Sequence, residues 1–235
     1  MIETVLFDLD GTLCEYRRPG TAVLEAAFER VGVDPLFTFT EFFSRIDAFV
    51  PGNDTIEAVR EEAFATLAAE AGADPAVGTA VAQAYAAERD HGDVRFLPGA
   101  AEALETLARD HRLGLVTNGA PAMQRQKLDA LGIADAFEAT MFAGFDAPSK
   151  PDPEPFHRVL ATVDTAPARA VHVGNSLEAD VAGARAAGMR SAWLPDAPDL
   201  QPNGHDPDYT LSSMADLTRP PWTRSGADPH DRPSR

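Results

Sequence analysis

Met1-Ile2-Glu3-Thr4-Val5-Leu6-Phe7-Asp8-Leu9-Asp10-Gly11-Thr12-Leu13 opens the chain, and its reading decides the fold. Ile2, Val5, Leu6 and Phe7 form an apolar run without helical period, the pattern of a strand buried on both faces of a sheet. The run stops at two carboxylates, Asp8 and Asp10, at the strand's C-terminal end, where open α/β sheets bind their ligands. Gly11 lets the chain turn away at once. An Asp-Gly pair alone is a common turn, so the weight of this address depends on what stands at the other strand ends.

Outward from that strand, residues 15 to 94 read as a helical insertion. Val23, Leu24, Ala27, Phe28 and Val31 recur at helical spacing before Gly32, and Phe39, Phe42, Phe43, Ile46 and Phe49 do so in the next segment. Asp54 to Ala71 predicts a longer helix, and Asp74 with Pro75 opens a fourth as N-cap and first turn. Arg17, Arg18, Arg45 and Arg60 of this region are expected as solvated charges; recognition of a substrate carboxylate or second phosphate is the alternative.

The main domain resumes at Leu97. A helix from Ala100 to about Asp110 leads to a second strand, Leu113 to Val116, which ends in Thr117, Asn118 and Gly119 before Pro121 opens a helix. Hydroxyl, amide and glycine at a strand end, followed by a helix N-terminus, suit a phosphate group; a plain turn is the alternative. Glu138 to Ala143 is a third strand. Lys150 and Pro151 precede a helix that Asp152 and Pro153 would open as N-cap and first residue. Ala170 to Val173 predicts a fourth strand, running into Gly174-Asn175-Ser176-Leu177-Glu178-Ala179-Asp180. Asn175 and Glu178 have capping-box spacing, and Asp180 is not needed for capping. Ser191 to Leu194 and Tyr209 to Leu211 complete the strands, and residues 218 to 235, rich in Pro, Arg, Ser, Gly and Asp, read as a disordered tail.

Composition excludes several classes. The 235 residues carry a net charge of -17, which argues against a nucleic-acid partner. No apolar run approaches the roughly 20 residues of a membrane span, and no basic segment precedes a long apolar stretch at the start, so a cytoplasmic protein is expected. The single cysteine, Cys14, excludes an internal disulfide and a cysteine metal cluster. The acidic balance, with only Lys127 and Lys150 as lysines, is similar to that of halophilic proteins, whose self-repulsion high salt screens.

Taken together, Asp8-x-Asp10-Gly-Thr, Thr117-Asn118-Gly119, Lys150-Pro151 and Gly174-Asn175-Ser176-x-x-x-Asp180 resemble the haloacid dehalogenase-like (HAD) hydrolase superfamily, in the subfamily with a helical cap after the first motif. Four motifs in order, each at a strand end, make the likeness specific. It implies an α/β fold, a Rossmann-like parallel sheet core at 1–14 and 95–217, with 15–94 as an inserted α-helical cap. It also implies a magnesium-dependent phosphatase acting on a small phosphorylated metabolite, as a monomer or homodimer. Asp8 would attack phosphorus, giving an aspartyl-phosphate, and Asp10, on the same side of an extended chain, would serve as general acid and base. Lys150 would place a positive charge on the phosphoryl oxygens, with Thr117, Asn118 and Gly119 binding them. Mg2+ would take Asp8, the carbonyl of Asp10, Asp180 and Asn175. Asn175 departs from the family, which commonly has an aspartate there, and so brings no charge to the metal. Asp10 argues against a dehalogenase, since a halide leaves without a proton. A phosphomutase and a non-catalytic binding protein on this scaffold complete the alternatives.

Overall fold

The computed structural model describes residues 1–49, 52–53 and 55–223, with the backbone alone at 47. The chain divides into two compact units, Met1–Glu15 with Val94–Arg235, and Tyr16–Asp93. Its strands are β1 (Thr4–Phe7), β2 (Cys14–Tyr16), β3 (Val94–Phe96), β4 (Arg112–Asn118), β5 (Ala139–Ala143), β6 (Ala170–Gly174), β7 (Arg190–Trp193) and β8 (Tyr209–Thr210). Six of them form one parallel sheet in the order β5-β4-β1-β6-β7-β8. β2 and β3 make a separate two-stranded sheet that composition did not signal, each being only three residues long.

The helical unit contains α1 (Gly20–Val31), α2 (Phe39–Arg45), α3 (Ile56–Glu70) and α4 (Pro75–Glu88). Thr38 and Glu41 form a capping box at α2, Thr55 accepts from the Ala58 N–H at α3, and Asp74 caps α4 as expected. The expected start of α3 at Asp54 lies outside the described residues. Phe28, Phe37, Phe42, Phe64 and Tyr85 meet edge to face with ring centroids 4.8 to 5.7 Å apart, the geometry aromatic quadrupoles favour. Phe43 departs from the expected stripe and is exposed. Arg60 is a larger correction: it is only 7% exposed, its guanidinium over the Tyr85 ring at 5.0 Å. Its Nε finds no hydrogen-bond partner among the described residues. Arg17, Arg18 and Arg45 pair with Asp93, Glu88 and Glu70 at the surface.

In the sheet unit, α5 (Ala100–Leu107), α6 (Pro121–Leu131), α7 (Glu154–Thr162) and α8 (Gly183–Ala186) cover both faces of the sheet. Alternation along β1 explains why the opening run is apolar throughout. Val5 and Phe7 enter a core with Leu104, Leu107 and Leu128, while Leu6 enters another with Phe156, Val159 and Leu160. The segment after β6 is not a regular α-helix: Leu177–Ala182 is a turn of π-helix running into α8. At the C-terminal end the described residues run on to 223, where the Trp222 ring lies 5.7 Å from that of Tyr209 and 6.3 Å from that of His111. The rest of the expected tail, 224–235, is outside the described residues. Among the described residues no helix is long and apolar enough to cross a membrane.

Candidate active site

Strand register brings the motifs to one edge of the sheet. Phe7 is level with Leu115 on one side and Val173 on the other, so Asp8 leaves β1 between the ends of β4 and β6. The chain order reverses here: β4 and β5 lie to one side of β1, β6 to β8 to the other, the place where open α/β sheets leave a crevice. The Asp8 N–H donates to the Val173 carbonyl at 2.9 Å.

Lys150 occupies the centre. Its Nζ donates to Asp8 Oδ1 at 2.8 Å, Asp180 Oδ1 at 2.6 Å and the Val116 carbonyl at 2.9 Å, so all three hydrogens have acceptors. The loop carrying it is fixed by Asn118, whose side chain accepts from the Lys150 N–H at 2.9 Å and donates to its carbonyl at 3.1 Å. Burial opposes the ammonium charge, but Asp8 and Asp180 outweigh it and raise the Lys150 pKa.

One ammonium cannot neutralise two buried carboxylates, and their surroundings decide between them. Burial would raise Asp180, yet Lys150, the His172 ring at 2.9 Å and further hydrogen bonding hold it well below the usual carboxylate range. The Ser176 N–H also donates to its Oδ2 at 2.9 Å. Asp8 has Lys150 alone. Burial, reinforced by the charges of Asp180 and Asp10, pushes its carboxyl up to about 6 against the pull of Lys150. Its Oδ2 has no hydrogen-bond partner among the described residues. Cys14 takes no part, since burial and Asp10 push its thiol up to about 12.

Two expectations about the β6 motif are corrected. Asn175 does not cap the following helix; the Ser176 hydroxyl does, accepting from the Ala179 N–H at 3.0 Å. Glu178 therefore has no capping-box partner there, and Asp180, held to be free of capping, binds the Ser176 N–H. Asp180 can fold back in this way because Gly174 has no side chain: a Cβ there would stand 2.2 Å from the Asp180 Cγ. Asn175 turns its Nδ2 to Asp196 Oδ1 at 2.9 Å, and its Oδ1 stands 3.5 Å from the Thr12 hydroxyl. At α7 the expected cap is corrected: Pro153 is the N-cap, and Asp152, one residue earlier, accepts from the Glu154 N–H with its Oδ1 at 2.8 Å.

Asp10 is reached by a turn and not along an extended strand, for β1 ends at Phe7 and residue 10 bridges to Cys14. Its carboxylate is 42% exposed and meets α6, where Lys127 Nζ lies 2.7 Å from both oxygens and Gln124 Nε2 donates to Oδ2 at 2.9 Å. Gln124 Nε2 also donates to the Thr117 hydroxyl at 2.7 Å.

A model of the haloacid dehalogenase-like hydrolases matches residues 2–188. The chain belongs to that family. Relatives of this HAD-like hydrolase include a phosphoserine phosphatase of Thermus thermophilus, 31% identical over 86% of this chain and 94% of the relative. Another is a ribulose-1,5-bisphosphate 5-phosphatase of Halopiger xanaduensis, 28% identical over 93% and 98%. The crystal structure of the HAD-hydrolase YfnB from Bacillus subtilis bound to magnesium superposes with a TM-score of 0.75, covering 93% of this chain and 97% of that one at 24% identity.

In this HAD-like hydrolase a magnesium ion would meet hard oxygen donors at Asp8 and Asn175 and at the Asp10 carbonyl, with an unpartnered carboxylate oxygen on Asp8 and a surplus of negative charge around it. That donor set suits an ion that keeps several of its waters. Among the described residues no three His, Cys, Asp or Glu side chains cluster as a ready cage, because the Asp180 oxygens face Lys150, His172 and Ser176. Three residues of the site escaped the sequence reading. His172 sits inside a strand whose apolar neighbours account for it as core, and Gln124 and Lys127 lie on a helix too polar in sequence to mark its buried face. Lys127 had a usable signal, being one of only two lysines in the chain.

Proposed function

We propose that this hydrolase is a magnesium-dependent phosphatase that cleaves a small phosphate monoester through an aspartyl-phosphate on Asp8. The observation that carries the reading is the Asp8 carboxylate itself. One oxygen is fixed by Lys150 and the other is open, at the end of β1 between the ends of β4 and β6. The names of the relatives, phosphatases matched over nearly their whole length, support the reaction class.

Asp8 Oδ2 attacks phosphorus in line with the leaving alkoxide. Asp10 gives that alkoxide a proton and later takes one from the water that splits the acyl phosphate. The Thr117 hydroxyl accepts from Gln124 and so keeps its own hydrogen to donate to a phosphoryl oxygen. Lys150 reaches the same oxygens by exchanging one of its present acceptors. Asp8, the Asp10 carbonyl, Asn175 and Asp180 would hold a magnesium ion, which would supply the positive charge that lets a carboxylate approach a phosphate dianion. The helical unit is the cap that selects the ester, and the two relatives' different substrates leave that choice to experiment.

Phosphate release from p-nitrophenyl phosphate tests the proposal, with and without magnesium, for the wild type and Asp8→Asn. Magnesium-dependent release that Asp8→Asn abolishes is expected. A panel including phosphoserine and ribulose 1,5-bisphosphate then follows. Release that persists in Asp8→Asn removes Asp8 as nucleophile, and silence across the panel removes the phosphatase.

A further inference from the structure

Gln124 and Lys127 stand three residues apart on α6 and so share one face of the helix. Both are almost fully buried, at 1% and 2% exposure, and both are aimed at Asp10. A helix that needed only to pack against the sheet would carry apolar residues at these places. The glutamine even leaves its Oε1 buried with no partner among the described residues, which costs stability. Turning the amide over would not help, since Oε1 would then face an Asp10 oxygen. Nε2, with two hydrogens, is the only end that serves Asp10 and Thr117 together. The neighbouring chain makes room for this: a Cβ on Gly119 would lie 2.9 Å from Gln124 Nε2.

We propose that Lys127 and Gln124 are positioning residues for Asp10, a clamp on α6 that ties the acid–base carboxylate to the hydroxyl that binds the phosphoryl group. The proposal rests on the phosphatase reading for the part Asp10 plays. No proton passes through the clamp. Asp10 protonates the leaving oxygen as the O–P bond breaks and takes a proton from water as the acyl phosphate is cleaved. Lys127 fixes the carboxyl group by contacting both its oxygens and supplies the counter-charge for its ionised form, between giving a proton to the leaving oxygen and taking one from water. Gln124 fixes the distance between Asp10 and Thr117, so that donor and phosphoryl site move as one unit. Holding a catalytic group in place from behind is the part such supporting residues play in preorganised sites.

The test compares p-nitrophenyl phosphate with phenyl phosphate, esters of nearly one shape whose leaving groups differ in their need for a proton. General acid catalysis supplies about 10²–10⁴-fold where it is needed. Lys127→Met is expected to lower kcat/KM for phenyl phosphate at least tenfold further than for p-nitrophenyl phosphate, and Lys127→Arg to restore most of the loss. Gln124→Leu and Gly119→Ala should show the same split in smaller measure. Equal losses on the two esters, or none, overturn the clamp. If the wild type hydrolyses neither ester, melting temperatures decide the clamp, and the phosphatase reading stands or falls by the wider panel. Asp10→Asn with Lys127→Met should then cost less than the sum of the two single variants, whereas additive losses overturn it.

Discussion

Asp8 and Asp180 show how two carboxylates on one lysine come to differ. Asp180 has three donors and stays ionised; Asp8 has one and holds its proton up to about pH 6. Because the Asp8 pKa is raised on folding, ionising it destabilises the fold, and the penalty appears as pH rises from about 4 through about 6. Asp8→Asn is therefore expected to melt higher than the wild type at pH 8 and to lose that advantage at pH 4.5, which thermal denaturation at the two pH values checks. Carbon NMR of the Asp8 carboxyl should show titration near 6 without metal and a lower midpoint with magnesium; an unmoved midpoint removes Asp8 as a ligand. Asp180→Ala takes one of three acceptors from Lys150 and the partner of His172 Nε2, at a cost of about 1–3 kcal/mol, readable in chemical denaturation. Asp8 and Asp10 as a pair at a strand end, and Lys150 as a scarce lysine in a motif that resembles the family's, were legible in the sequence. Which oxygen meets which donor was not, since that follows from register between strands far apart in sequence.

At the scale of elements, the segment after β6 shows where periodicity stops informing. The spacing of Asn175 and Glu178 points to a capping box, and the choice of Ser176 instead depends on Asp180 curling back over a glycine, a contact that one-dimensional spacing does not encode. Gly174→Ala would force the Asp180 carboxylate off both Lys150 and Ser176, so it should lose stability about as Asp180→Ala does, measured in the same denaturation series. The helix α3 presents the opposite case. The helix itself was legible, yet Arg60 falls on the buried side, an arginine's long stem making it indistinguishable from a surface residue by pattern alone. Arg60→Met keeps the stem's volume and removes an unpaired buried charge, and its melting temperature is expected to rise. A fall would show that the guanidinium's stacking on Tyr85 outweighs its desolvation.

Over the whole molecule, the fold was readable because each level agreed: an apolar strand with both faces buried, helices between strands, and polar motifs only at the strand ends. The net charge of -17 acts at this scale too. Raising salt from 0.1 to 1 M shortens the screening length from about 10 to about 3 Å, so the melting temperature should climb across that range; a flat or falling curve would show that self-repulsion is not a significant load on this fold. The two lysines carry a practical corollary. Both side chains are at most 3% exposed and locked to carboxylates. Outside the terminal amino group, the folded protein offers no primary amine to solvent, so an acylating dye should attach once per native chain and three times per unfolded one. Mass spectrometry after a labelling pulse would then count the opened molecules in a population directly, with the two buried lysines as the gauge.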